Sequence, residues 1–231
     1  MLTCFWSPKG GSGTSVVVAA TGLVLARAGA ARIIDLAGDQ PAVLGLANDP
    51  TLGLRDWLRA GAQAPADALA HLAIEAAPNL SLLPAGLPGA DDGVLPEAGA
   101  ALAVALANDP VPTVCDLGRL DTPALEAFAE VAGPQVLVLR GCYLALRRAS
   151  RHPGLKNVAA VVLIDEHGRS LGTRDVEDVL GVPVAATITA RSAIARAVDA
   201  GVLGIRMPEG LARPLHHAFE RSGWFDAESA A

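Results

Sequence analysis

Short apolar runs alternate along the chain with longer stretches of helical spacing, and this alternation predicts an α/β domain built on a mostly parallel sheet. Residues 2–6 form a strand-like run, and residues 16–28 an Ala/Val-rich helix that Gly29 ends. Residues 30–35 read as a second strand. It delivers Asp35 at its C-terminal edge, the edge where open parallel sheets place ligands. Between residues 51 and 76, Leu52, Leu54, Trp57, Leu58, Leu69, Leu72 and Ile74 predict one or two amphipathic helices divided by a turn at 61–65. Residues 79–84 return as a strand, and 86–93, rich in Gly, Pro and Asp, are expected to form a mobile loop. A helix over 97–107, entered through Pro96, leads to a strand over 112–116 that ends on Asp116. Asp121-Thr122-Pro123 caps the next helix, with Pro at its first position. A strand over 135–139 and a helix over 142–149 follow, and strands over 158–164 and 182–188 flank a helix over 173–180. Helical stretches at 191–201, with Ile194 and Val198 facing the core, and at 208–224, with Leu211, Leu215, Phe219 and Trp224, close the series.

The stretch joining the first strand to the first helix is Ser7-Pro8-Lys9-Gly10-Gly11-Ser12-Gly13-Thr14-Ser15. A strand, a glycine-rich turn and a helix start in that order make a phosphate cradle, because backbone N–H groups and the helix dipole converge on one anion. Ser15 stands where a P-loop places its Mg²⁺-binding hydroxyl, and Thr14 stands where that loop carries its lysine. The lysine comes five residues earlier, at Lys9. Lys9 and Lys156 are the only lysines among 18 basic residues, so a lysine in this loop stands out from an arginine background. Lys9-Gly10-Gly11-x-Gly13-x-Ser15 resembles the deviant Walker A loop of the MinD/ParA superfamily, and the chain is most similar to its CpaE/TadZ-like branch.

The resemblance implies a three-layer Rossmann-like P-loop NTPase fold, with helices on both faces of a mostly parallel central sheet. It implies one such domain over residues 1–225 and a short tail at 226–231. ATP and Mg²⁺ are the cofactors it brings, with Lys9, Gly10, Gly11, Ser12, Gly13, Thr14 and Ser15 around the phosphates. Ser15 and Asp116, the latter in the place of a Walker B acid, would hold the metal. Lys9 would reach the nucleotide of a partner copy in a nucleotide-dependent homodimer. Asp35-Leu36-Ala37-Gly38-Asp39-Gln40-Pro41 resembles the second family motif, in which a strand ends in Asp-x-Asp and the second acid positions the attacking water. Aligned on Asp35, that second acid falls on Ala37. Asp39 either substitutes for it, if the loop folds back, or is an exposed turn residue before Pro41, which leaves Asp39 or Asp35 as the acid near the water. Asp165-Glu166 and Thr189-Ala190 also depart from the family's base-side loops. With Thr14 and Ala37, these departures imply slow or absent hydrolysis: either a switch with weak ATPase activity or a localisation scaffold that has kept the fold alone. The cellular roles implied are spatial positioning of pilus, septum or chromosome-partition machinery through a protein partner.

Composition narrows the remaining classes. A hydrophobic content of 52% with only 3% aromatic residues means a core of Ala, Val and Leu. The net charge of −6 gives no overall footprint for polyanions. The one local basic cluster is Arg147, Arg148 and Arg151, continuing to His152 and Lys156. It reads as a solvated helix end or as a docking patch for an acidic partner or DNA, and with Tyr143 as its sole aromatic residue DNA is not the favoured occupant. No run approaches the length of a membrane span and no signal-type segment opens the chain, so a cytoplasmic location, with recruitment to a pole or membrane-associated complex, is expected. The C-terminal end carries Glu209, Glu220, Asp226 and Glu228 against Arg213 and Arg221, which suits packing on the body better than a cationic membrane face. Cys4, Cys115 and Cys142 form no metal-binding or redox spacing and are expected as reduced buried thiols. His216 and His217, being adjacent, face different sides of a helix and make a poor metal pair.

Overall fold

A computed structural model describes residues 2–88, 94–107 and 109–222. In chain order the elements are β1 (Leu2–Ser7), α1 (Thr14–Ala26), β2 (Ala31–Asp35), α2 (Gln40–Leu44), α3 (Leu54–Ala60), α4 (Ala68–Leu72), β3 (Ile74–Ala77), β4 (Leu80–Leu83) and α5 (Pro96–Ala107). They continue with β5 (Thr113–Arg119), α6 (Pro123–Ala132), β6 (Gln135–Arg140), α7 (Tyr143–Ala149), a 3-10 turn (Pro153–Asn157), β7 (Val158–Asp165), α8 (Thr173–Leu180), β8 (Val184–Thr189), α9 (Ser192–Asp199) and α10 (Glu209–Ser222). One eight-stranded sheet has the order β3-β4-β2-β5-β1-β6-β7-β8. Every pairing is parallel except β3 with β4.

The strand period of two divides the core in two. On β1, Cys4 and Trp6 face one side, with Leu102 of α5, Phe128 of α6, Ala145 of α7 and Val176 of α8. Phe5 faces the other, with Val17 and Val18 of α1, Leu44 of α2, Ala197 of α9 and Leu215 of α10. Helices thus cover both faces, and the central strands are apolar on both sides, as buried parallel strands must be. Helix α1 is apolar all round because it is sandwiched between the sheet and α10, and it seats on β2 so closely that a Cβ at Gly22 would lie 2.7 Å from the Ile33 side chain.

Most expected elements lie within a residue or two of their observed bounds, and α8 coincides with residues 173–180. Ile74 differs: it opens the antiparallel edge strand β3 rather than ending a helix. Four residues pairing with β4 through a tight turn at Pro78-Asn79 leave too short a signature to separate from the helical spacing before it, and Asn79 takes φ 62° to make the turn. On α9 the buried residue is Ala197, with Ile194 and Val198 only partly covered. His152 is half-buried and caps the start of the 3-10 turn rather than extending a solvated basic face. Its ring lies 4.5 Å from Trp6, one nitrogen pairs with the Leu120 carbonyl, and the other accepts the Gly154 N–H. Cys4 and Cys115 are buried free thiols on neighbouring strands, while Cys142 is half-buried. Residues 89–93 of the expected mobile loop, together with Trp224 and the 226–231 tail, lie outside the described residues.

Candidate functional site

The C-terminal ends of β1, β2 and β5 open onto a cleft of about 590 Å³ lined by the Gly10–Val16 stretch, by Leu36, Ala37 and Asp39 after β2, by Arg55, by Leu117, Gly118 and Arg119 at the end of β5, and by Asp121 and Thr122 after it. Volumes of this order accommodate small-molecule ligands. Gly11 and Gly13 adopt φ of 74° and 87°, left-handed values that turn the chain from β1 into α1 and that side chains rarely tolerate. A Cβ at either would meet nothing within 4 Å, so the cleft side of the loop is open. The loop is braced from behind: the Ser12 and Ser7 hydroxyls both donate to the Lys9 carbonyl, at 2.8 and 3.0 Å. Gly13 caps α1 with no side-chain hydrogen bond, so the first N–H groups of a thirteen-residue helix remain available to an anion.

Three acids reach this end of the sheet and are used differently. Asp35 is fully buried and turns its carboxylate into its own loop, where it accepts the Ala37, Gly38 and Gln40 N–H groups. It shapes the β2–α2 turn and is not among the residues lining the cleft. Asp39 is exposed in the turn before Pro41, and its carboxylate lies within 3.4 Å of the Ser15 hydroxyl on the cleft wall. Asp116, also fully buried, accepts Gln40 Nε2–H at 2.7 Å and the Gly118 N–H at 2.9 Å. Ala37 occupies the cleft wall close to Gly118 with no acid of its own. Lys9 is half-buried, and its residue is not among those lining the cleft of its own chain.

Burial dominates the electrostatics. Desolvation raises the Asp35 pKa from 3.8 to about 7, with the neighbouring Asp116 charge adding to the rise and the Gly38 and Gln40 amides opposing it. Desolvation likewise raises Asp116, against hydrogen bonds from Gln40, Ser15 and Gly118. Gln40 escaped sequence reasoning: fully buried, it ties the Ser15 carbonyl to Asp116 through one amide nitrogen while its Oε1 has no hydrogen-bond partner. A glutamine beside a proline in a polar turn carries no distinguishing signal. Arg55 was missed for a different reason, since its place in the cleft depends on contacts with loops distant in sequence.

The residues present fit a phosphate chain accompanied by a hydrated divalent ion. The glycine loop and uncapped helix suit the anion. Ser15 and Asp39 on the cleft wall carry hard oxygen atoms, and behind them lie the buried Asp116, absent from the cleft lining, and the Gln40 Oε1 that has no hydrogen-bond partner. Among the described residues no cluster of three His, Cys, Asp or Glu side chains could cage a metal unaided. Magnesium typically takes one or two carboxylates, several waters and the phosphates themselves.

Fold and cleft together define a P-loop NTPase architecture. In particular, the chain has the MinD/ParA fold. The septum site-determining protein MinD of Pyrococcus horikoshii, solved with Mg-ADP, superposes with a TM-score of 0.79 at 19% identity, covering 99% of this chain and 97% of that one. A ParA family ATPase of Chlorobium tepidum gives 0.76 at 21% identity, covering 93% and 95%. MinD of Aquifex aeolicus, in a complex with the cell division protein MinC, gives 0.76 at 20% identity, covering 95% and 94%. An uncharacterised protein of Streptomyces coelicolor is 37% identical over 188 residues, taking in 72% of this chain. The chain spans about half the length of that relative, 46% of it. No family model matches the sequence.

Proposed function

We propose that this chain is a nucleotide-dependent positioning protein of the MinD/ParA kind, binding ATP with Mg²⁺ and hydrolysing it slowly. The observation that carries the reading is the open, uncapped glycine loop facing the cleft with Ser15 and Asp39 at its wall. Backbone N–H groups of residues 10–15 bind the phosphates. Ser15 and Asp116 hold the metal, and Asp39 orients water at the outer end. Bound magnesium supplies charge neutralisation on the phosphate oxygens. Lys9, absent from the lining of its own cleft, is free to serve a second copy, so that nucleotide state governs dimerisation and the surface offered to a protein partner.

Thr14 and Ala37 favour weak turnover, because each stands where a charge would stabilise phosphoryl transfer. The same observation supports the second reading, a scaffold of this fold without catalysis. The MinD–MinC complex among the similar structures supports a protein partner, in septum, pilus or partition machinery. Exposed Arg147, Arg148 and Arg151 on and beside α7 keep DNA as the less favoured alternative. No helix among the described residues is long and apolar enough to cross a membrane, and recruitment to a pole through the partner is the location we propose. One domain over 1–225 completes this reading.

Titration calorimetry with ATP and Mg²⁺, followed by single-turnover hydrolysis of wild type and Lys9→Ala, tests it. The switch reading expects binding heat and phosphate release above the variant's background. Binding with identical background release leaves the scaffold, and no binding of any nucleotide overturns both the switch and the enzyme.

A further inference from the structure

A P-loop lysine gives the phosphates a cation from within the chain, and Thr14 cannot. The charged residues lining the cleft are Asp39, Arg55, Arg119 and Asp121. Arg119 lies 2.6 Å from Asp121, which neutralises it locally. Arg55 differs. Its Nη1 donates to the Gly86 carbonyl at 2.9 Å and its Nη2 to the Ala37 carbonyl at 3.2 Å, both neutral acceptors. Among the described residues no carboxylate lies within ion-pair distance of it, although Asp35, Asp39 and Asp49 line the adjoining recess of about 220 Å³ that Arg55 also borders.

The position of this guanidinium is built in. The first turn of α3 is laced to the loop after β4 through Leu54 N–H to the Pro84 carbonyl and Arg55 N–H to the Ala85 carbonyl. Gly53 and Gly86 pack backbone to backbone, so that a Cβ at Gly53 would lie 2.2 Å from the Gly86 nitrogen. Across the fork, Gly38 leaves room for the head group, since a Cβ there would lie 2.8 Å from Nη2. A half-buried, pre-oriented arginine whose charge is unspent, on the wall of a cleft shaped for anions, has the chemistry of a phosphate clamp.

We propose that Arg55 supplies the in-chain positive charge to the phosphates of a nucleoside di- or triphosphate, in place of the lysine that Thr14 displaces. The inference rests on the nucleotide-binding reading above. Its two planar N–H edges favour a polyphosphate over a monophosphate, which makes Arg55 a specificity-determining residue.

The test is calorimetry of the full chain with ATP, ADP and AMP in Mg²⁺ at low and moderate salt. Arg55→Ala should weaken ATP and ADP by about 10- to 100-fold and AMP far less, the range expected for lost hydrogen bonds to a charged group. Arg55→Gln, which removes the charge but keeps a polar side chain, should weaken ATP and ADP likewise. Arg59→Ala on the exposed side of the same helix should change nothing. Thr14→Lys should strengthen ATP binding more in Arg55→Ala than in wild type, a non-additivity that a merely structural Arg55 would not show. Wild-type ATP binding that survives both Arg55 variants within about twofold, or equal weakening of ATP and AMP, overturns the inference and leaves the nucleotide reading standing. Absence of binding by wild type removes that reading and the inference with it.

Discussion

Stability of this fold should fall as pH rises from about 4 to 7, and the cause lies in two adjacent strand ends. β2 and β5 pair in parallel with Asp35 opposite Asp116, and both carboxyls are fully buried. In the unfolded chain Asp35 titrates near 3.8; in the folded chain desolvation first, and the Asp116 charge second, raise it to about 7. The folded state therefore holds this proton more tightly than the unfolded state. The resulting stabilisation is complete below the unfolded value and is lost as pH climbs through the folded one. A rise of roughly three units at 1.36 kcal/mol each makes the Asp35 contribution about 4 kcal/mol. Asp116, raised by burial, changes stability in the same direction. Asp109 is partly desolvated, but the Val111 N–H and Arg32 hold it below its ordinary value, so its stabilisation is lost only in more acid solution and leaves this window clear.

Urea unfolding at half-unit intervals from pH 4.5 to 8 measures the effect, and a loss of this size moves the midpoint by roughly 1–2 M. Asp35→Asn should flatten most of the slope, whatever its own stability. Asp116→Asn should shift the Asp35 midpoint downward by removing its charged neighbour. A wild-type profile flat across this range, or a slope unchanged in Asp35→Asn, would refute the assignment of buried, charge-coupled carboxyls.

Two further outcomes follow from backbone geometry. Gly13→Ala places a side chain at φ 87° in open space, so backbone strain alone should cost about 1–2 kcal/mol in urea melts, with weaker nucleotide binding by calorimetry. Gly99→Ala sets a Cβ 1.9 Å from the Ala124 carbonyl oxygen where α5 crosses α6, and wedging these helices apart should cost about 1–3 kcal/mol with a lower Tm by calorimetric scanning.

Periodicity, punctuation and one loop carried the architecture into the sequence. The helix over 173–180 and the strand over 80–83 were legible because apolar spacing and flanking Gly or Pro are local signals, set by which side chains meet the core. The glycine loop was legible for the same reason: its left-handed turns demand glycines wherever they occur. Edge strand β3 was not, since its four residues are defined by pairing with β4 rather than by their own pattern. The site divides along the same line. Ser12 and Ser15 follow from their places in the loop, but two contacts needed the chain to close on itself. These are Asp39 meeting Ser15 across 24 positions and Gln40 bridging to Asp116 across 76. Arg55 makes the distinction sharpest: its neighbours lie 18 and 31 positions away, on two loops whose closeness depends on sheet order and a glycine-to-glycine contact. A sequence determines which groups can hydrogen-bond or carry charge; only tertiary packing decides which of them are left unspent at a common cleft.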